Sequence, residues 1–166
     1  MSERLQYRMY GLVPYNISPI QQGIQFGHAV QEYNNIARKS DMHVKPGDSE
    51  YHEFYDWADK DKTFIILNGG TTNNNKERYG TLNNAKINLH SLGVEIATFH
   101  EPDLGDQLTA IVFLVDERIY DYAKYPTYDY IVHEGVGEVT YYDNIFGKDA
   151  EYILDMRDFL SKYKLA

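Results

Sequence analysis

The stretch that most constrains the fold is QLTAIVFLV, which runs from residue 107 to residue 115. Beyond Thr109 every side chain in it is apolar. A strand with one face in water alternates apolar and polar side chains, whereas a strand covered on both faces has no need to. The run therefore predicts a central strand with other elements packed on both sides, which is the arrangement of an α/β domain.

The rest of the first two thirds of the chain supplies elements that can cover such a strand. Further strands are predicted at 5–13, 63–68 and 94–99. Helices are predicted from Ser18 onward, over 49–60, and over the apolar positions Leu82, Ala85, Leu89 and Leu92 as far as Gly93. This β-α-α-β-α-β-β order predicts a single domain built on a mixed four-stranded sheet with helices on both faces.

The first helix has a clear start and two distinct sides. Ser18 suits a cap, Pro19 suits the first helical position, and Gln21 completes a capping box with the serine. Apolar residues recur at helical spacing at Phe26, Ala29, Val30, Tyr33 and Ala37. Polar residues form a stripe at Gln21, Gln25, His28 and Glu32. The helix is thus expected to bury one side and to present the other to solvent or to a ligand.

Composition argues against several classes of protein. The chain of 166 residues has 25 acidic and 16 basic side chains, a net charge of −9. This disfavours binding along a nucleic acid backbone, which depends on neutralising phosphates, although the acidity also simply favours solubility. The absence of cysteine removes disulfides and thiolate metal sites. Without a membrane-length apolar run or an export signal, a cytoplasmic protein with no membrane partner is expected.

The last third of the chain has a different character, since residues 116–166 hold nine of the 16 tyrosines. The sequence HEGVGE is typical of a hairpin turn, and the segment 148–166 predicts a closing helix. We therefore expect a core over residues 1–116 and a tyrosine-rich hairpin and helix over 117–166. This extension packs either on the core or on a partner chain. Tyrosines of this kind either pack together or stack on nucleobases.

Two motifs, QFGHAVQEY at 25–33 and FHEPDLGDQLTAI at 99–111, occur in the expected order on the first helix and at the entry to the last core strand. Together they resemble the archaeal and eukaryotic-type (type 2) peptidyl-tRNA hydrolase family, and in particular a divergent bacterial and phage branch of it. The resemblance covers roughly residues 5–116 and agrees with the predicted order of elements. It implies the fold of that family and a homodimer or higher homo-oligomer.

Members of that family cleave the ester that joins a peptide to tRNA. The resemblance implies catalytic roles for His28, Asp103 and Thr109. It implies a ligand contact for Gln25 and leaves Glu101 as the alternative to Asp103 for the acidic group of the loop. In a nucleotide-binding protein, Glu101 is expected to bind the ligand by accepting from its ribose or base.

One departure from the family's pattern bears on activity. The family carries a lysine on the first helix where this chain has Gln21, and no lysine occurs before Lys39. An ammonium group stabilises a developing oxyanion with a full charge, whereas an amide offers only a dipole. Arg8 and Lys62 are the cations considered as replacements. The departure favours binding over ester hydrolysis.

Phosphate binding is predicted at the start of the first helix, because free backbone N–H groups and the helix dipole attract anions there. Ser18, Gln21 and Gln22 are the ligand-binding residues that this predicts. The Gly-Gly-Thr-Thr-Asn loop at 69–73 either cups a ligand or is a mobile connection. It lacks the ending of a phosphate loop.

Each of these features also has a structural explanation. His28 is also explained by a solvent-facing position, Glu101 and Asp103 by a charged surface turn, and the glutamine stripe by a helix face exposed to solvent. The HEPD sequence lacks a second histidine at ligand spacing, so neither a metal nor another cofactor is expected.

Three functions follow from the sequence. The first is a nucleotide- or nucleotidyl-binding protein without efficient hydrolase activity, for example one that sequesters a small nucleotide signal as a phage protein does. The second is an active peptidyl-tRNA hydrolase acting at the 3′ end of tRNA. The third is a non-catalytic assembly or partner-binding protein that kept the fold.

Overall fold

Four strands form one mixed sheet in the computed structural model, which describes residues 4–41, 52–75, 77–126 and 145–166. The strands are β1 (Tyr7–Val13), β2 (Thr63–Asn68), β3 (Ala97–Glu101) and β4 (Gln107–Asp116). Their order across the sheet is β2-β1-β4-β3. β1 pairs in parallel with β2, and β4 pairs antiparallel with both β1 and β3. The predicted mixed α/β sheet of four strands is confirmed.

Helices cover both faces of the sheet. They are α1 (Pro19–Ser40), α2 (Glu53–Asp56), α3 (Leu82–Ser91), α4 (Glu117–Tyr120) and α5 (Ala150–Ser161). A π-helical turn (Trp57–Asp61) continues α2, and short 3-10 helices lie at Pro102–Leu104 and Gly147–Asp149. None of the helices in these described ranges combines the length and the apolar character needed to cross a membrane.

Strand β4 is buried along its whole length from Leu108 to Asp116, as its unbroken apolar sequence predicted. One core lies between the sheet and α1 and includes Met9, Phe26, Ala29, Tyr33 and Val112. The other lies on the opposite face against α3 and α5 and includes Leu12, Leu89, Ile111, Ile153 and Met156. β4 contributes to both cores because its successive side chains point to opposite faces.

One predicted boundary differs from the structure for a local reason, and another falls outside the described residues. The strand predicted at 94–99 lies at 97–101, because the Val94 N–H donates to the Leu89 carbonyl and is still part of the end of α3. Gly93, with φ +74°, makes that turn. The second predicted helix begins only at Glu53, where His52 caps it by accepting from the Phe54 N–H; its predicted start at Ser49 lies outside the described residues.

The C-terminal helix packs on the sheet rather than extending into solvent. Ile153 and Met156 are fully buried, beside Phe159. The final residues then run antiparallel to the edge of β2, where the Asn68 N–H donates to the Lys164 carbonyl at 2.8 Å. The hairpin predicted within residues 120–144 has its turn, HEGVGE at 133–138, outside the described ranges.

Candidate functional site

The two sequence motifs meet at one corner of the molecule, where α1 crosses the end of β3 and the start of β4. We call this the α1–β3 corner and define it by Gln25, His28, Phe99, Glu101 and Thr109. Antiparallel pairing of β3 with β4 places Glu101 opposite Gln107, two residues before Thr109. The polar stripe of α1 packs over these strand ends, so residues far apart in sequence become neighbours.

A chain of three side chains links the buried interior of the corner to its surface. The Thr109 hydroxyl donates to Gln25 Oε1 at 2.7 Å, and Gln25 Nε2 donates to Glu101 Oε2 at 2.6 Å. Thr109 is 0 % exposed and Gln25 is 4 % exposed. Buried polar groups are stable only when their hydrogen bonds are satisfied. Gln25 meets this requirement by joining Thr109 to Glu101, and its amide therefore positions the carboxylate.

The Glu101 carboxylate is held from two sides. Its Oε1 accepts from the Asp103 N–H at 3.3 Å, which makes Glu101 the cap of the short 3-10 helix that follows. The hydrogen bond from Gln25, then that from Asp103, and also the nearby imidazole of His28 hold the pKa of Glu101 below its ordinary value. Hydrogen bonds to the charged form stabilise it. The corner therefore presents an ionised, oriented acceptor.

His28 lies one turn after Gln25 on α1 and is exposed. Its ring stacks on Phe99, with centroids 4.4 Å apart and planes only 13° from parallel. Stacking fixes the plane of the imidazole without using either ring nitrogen. Phe99 was missed as a site residue at the level of sequence, although an aromatic residue directly before HEPD was the available signal.

The start of α1 uses its own polar groups. The Gln21 N–H donates to Ser18 Oγ at 3.2 Å, and the Ser18 N–H donates to Gln21 Oε1 at 3.3 Å, which confirms the capping box. Gln22 Nε2 donates to the Ile17 carbonyl at 3.2 Å. Pro19 has no N–H to offer. Ser18, Gln21 and Gln22 thus already have structural partners, and phosphate binding there stays a prediction.

Asp103 and the loop that contains it form the outer rim of the corner. Asp103 is exposed within the 3-10 helix, and its backbone rather than its carboxylate contacts Glu101. The sequence left open whether Glu101 or Asp103 is the acidic group of the site. Of the two, Glu101 is the one whose carboxylate accepts from the Gln25 amide. A catalytic role for Asp103 stays a prediction.

Neither cation considered as a replacement for the family's lysine lies at the corner. Arg8 pairs in register with Thr63 at the start of β2, which is the end of the sheet away from Glu101. Its guanidinium instead lies 3.8 Å above the ring of Tyr120. Lys62 directly precedes β2 and shares that distant end. Neither Arg8 nor Lys62 therefore takes the place of the family's lysine at the corner.

Neither a scan against protein-family models nor a search of curated proteins finds a match for this chain. Membership of the peptidyl-tRNA hydrolase family therefore rests on the two sequence motifs and the order of elements predicted from the sequence, and it stays a prediction.

The HEPD sequence carries no metal cluster in the part of the chain that the structure describes, where no three His, Asp or Glu side chains are placed to hold an ion.

Burial, and after it the positive charge of Lys86, lower the pKa of the His100 imidazole.

The loop after β2, for which the sequence left open a role in holding a ligand and a role as a mobile connection, is hydrogen-bonded to two other segments of the chain. Asn16 Nδ2 donates to the Thr72 carbonyl and Asn16 Oδ1 accepts from the Thr72 N–H, each at 2.9 Å. The Thr72 hydroxyl is buried and donates to the Leu108 carbonyl at 2.6 Å. The loop thereby ties the turn after β1 to the start of β4, next to the corner.

Proposed function

We propose that this protein binds a nucleotide or nucleotidyl group at the α1–β3 corner and does not hydrolyse it efficiently. One observation carries the proposal: the buried Thr109–Gln25 pair holds the Glu101 carboxylate beside the exposed His28 ring. A site with an oriented carboxylate and a fixed imidazole suits a ligand that has several hydroxyl or N–H donors. Sequestration of a small nucleotide signal is one form that this function takes.

Glu101 supplies the acceptors in this proposal. An ionised carboxylate has about four lone-pair positions. Gln25 and the Asp103 N–H account for two donors, which leaves lone pairs for ribose hydroxyls or for the N–H groups of a base. His28 presents ring nitrogens beside them. Hydrogen bonds to a charged acceptor are stronger than neutral ones, so Glu101 is expected to dominate the affinity.

Binding is favoured over hydrolysis because the corner offers few groups that could stabilise a transition state for ester cleavage. The Thr109 hydroxyl is fully buried and engaged with Gln25, and Arg8 and Lys62 lie at the other end of the sheet. Loss of a single oxyanion donor costs about 10²–10³ in rate in enzymes that depend on one. The net charge of −9 further disfavours a whole tRNA as ligand.

The proposal is tested by calorimetry with the four nucleoside monophosphates as probes. We expect at least one to bind, and Glu101→Gln to weaken that binding by about tenfold or more, because it removes the charge from the acceptor but keeps its shape. The control is Glu151→Gln, since Glu151 is exposed on α5 on the opposite face of the sheet. Equal binding by wild type and Glu101→Gln would refute this site.

A parallel assay separates binding from catalysis. Purified protein is incubated at high concentration with a model peptidyl-tRNA, and released peptide is measured. We expect no turnover. Turnover that disappears in His28→Ala would instead establish the hydrolase, with the imidazole beside Glu101 as the group that activates water.

A further inference from the structure

A cleft of about 450 Å³ lies at the end of β2, apart from the α1–β3 corner. The turn Gly69–Gly70 lines it, and the side chains that line it include Tyr15, Asn68, Asn84, Lys162, Tyr163 and Lys164. We call this the Gly69–Gly70 cleft. It shares no residue with the corner. It also opens where β1 and β2, the parallel pair, both end, which is the place where open α/β sheets bind ligands.

The shape of the cleft follows from tight contacts between its walls. Gly70 has φ +102°, and a Cβ there would lie 2.0 Å from Thr81 Oγ1, so the turn packs directly against the start of α3. The opposite wall is the C-terminal segment, which the bridge between Leu67 and Leu165 holds against the edge of β2. Two lysines distant in sequence from the turn are brought beside it by that bridge.

The charge of the cleft is opposite to that of the chain. Lys162 and Lys164 line it, and none of the described residues that line it carries a carboxylate, whereas the whole protein has a net charge of −9. Lys162 forms an ion pair with Asp158 at 3.1 Å, and both side chains are more than half exposed. Such a surface pair contributes little and is easily exchanged for a stronger anion. No ion pair of Lys164 is seen within the described ranges.

The neutral groups of the cleft add donors and ring surfaces. Asn68 Oδ1 accepts from the Gly70 N–H at 3.0 Å, which leaves its amide N–H groups as donors. The backbone at the start of α3 is already bonded, with the Leu82 N–H donating to the Thr71 carbonyl, so side chains must supply the contacts to an anion. Tyr15 is 60 % exposed and Tyr163 is half-buried, and both offer aromatic surface.

We propose that the Gly69–Gly70 cleft binds a small molecule that joins a phosphate group to an aromatic ring, with the phosphate on Lys162 and Lys164 and the ring against Tyr15 and Tyr163. Lysine ammonium groups are common phosphate ligands, and tyrosine rings stack on planar heterocycles. This site is independent of the function proposed for the corner, because neither contributes a residue to the other.

The test is a titration of ¹⁵N-labelled protein with AMP, followed by NMR at each backbone amide. We expect shifts at Gly69, Gly70, Lys162 and Lys164, and a loss of affinity of about tenfold in the double variant Lys162→Gln/Lys164→Gln. The matched control Lys39→Gln/Lys148→Gln removes the same charge from exposed sites elsewhere and should bind as wild type. Affinity that falls equally in both double variants would indicate general charge attraction and overturn the site.

Further arms separate the cleft from the corner and the phosphate from the ring. Glu101→Gln should leave the shifts at the cleft unchanged, so failure of one site is distinguishable from failure of the other. Inorganic phosphate and adenosine alone should each bind more weakly than AMP. If adenosine binds as well as AMP, the role of the lysines is refuted, and if inorganic phosphate binds as well as AMP, the role of the tyrosines is refuted. No shift at the cleft with millimolar AMP overturns the proposal.

Discussion

The Thr109 hydroxyl donates to the side-chain oxygen of Gln25 at 2.7 Å, across 84 positions of sequence and with both residues buried. This bond fixes the orientation of the Gln25 amide, whose nitrogen can then donate only toward Glu101. A carboxylate at the surface is therefore oriented by a hydroxyl in the core. The relationship predicts that changes in the interior of the corner will be measurable at Glu101.

Thr109→Val is expected to lower the free energy of unfolding by about 1–3 kcal/mol. Valine nearly matches the shape of threonine but leaves Gln25 Oε1 buried without its donor. Thr109→Ser is the control, because it keeps the hydroxyl and loses only a methyl group, at about 1 kcal/mol or less. Urea unfolding of the three proteins measures the difference. A valine variant as stable as the wild type would show that the bond contributes nothing.

Gln25→Met is expected to raise the pKa of Glu101 toward its ordinary value of 4.5. Methionine fills a similar volume but cannot donate to the carboxylate, and the hydrogen bond from Gln25 is the largest cause of the lowered pKa. A ¹³C NMR titration of the Glu101 carboxyl group measures this directly. Gln31→Met, at an exposed position of α1, should leave the Glu101 titration unchanged.

Ligand binding at the corner should accordingly persist into mildly acidic solution. Because the pKa of Glu101 is lowered, more than half of its carboxylate is ionised at pH 4.5, where an ordinary glutamate is half protonated. Binding that depends on its charge is then lost only as pH falls through the lowered pKa. Calorimetry with the bound nucleotide at a series of pH values checks the sign, and a loss of binding already complete above pH 4.5 would exclude Glu101 as the titrating group.

Gly11→Ala and Gly23→Ala are expected to change stability in opposite directions. A Cβ at Gly11 would lie 2.1 Å from the Phe26 ring, so the buried interface of β1 with α1 must shift, at about 1–3 kcal/mol. A Cβ at Gly23 meets nothing within 4 Å, and alanine in a helix is favoured over glycine by about 0.5–1 kcal/mol. Thermal unfolding of the two variants provides the comparison; a stabilising Gly11→Ala would contradict the packing described here.

Asp61→Asn is expected to destabilise the fold by about 1–2 kcal/mol at neutral pH. The Asp61 carboxylate is 11 % exposed, accepts from both terminal nitrogens of Arg4, and accepts from the Tyr7 N–H at the start of β1. Asp56→Asn is the control, since the exposed pair of Asp56 with Lys60 should contribute about 0.5 kcal/mol or less.

The contribution of Asp61 should also depend on pH with a definite sign. The hydrogen bond from Arg4, above all, lowers the pKa of Asp61 below its ordinary value of 3.8. A carboxyl group whose pKa is lower in the folded state stabilises the fold above its unfolded pKa, and loses that effect as pH falls through the folded pKa. The difference between wild type and Asp61→Asn should therefore be constant near neutrality and shrink in acid. A difference that grows in acid would contradict this.

What the sequence determined by itself are the features set by neighbours a few positions apart. The capping box needs only Ser18 and Gln21, and the end of α3 needs only the αL turn at Gly93. The burial of β4 on both faces could be predicted because its own side chains lack a polar face. These features depend on backbone geometry and on local periodicity, which short stretches of sequence determine.

Only the tertiary structure decided which side chains of the site are hydrogen-bonded to one another. The motif resemblance suggested that Gln25, Glu101 and Thr109 belong together, but not that Gln25 is buried and donates to Glu101 across 76 positions. Nor does any pattern near Gly69–Gly70 indicate that Lys164 is placed beside it. Such contacts arise when sheet pairing and helix packing bring remote segments within hydrogen-bonding distance, and that geometry is a property of the whole fold rather than of any segment.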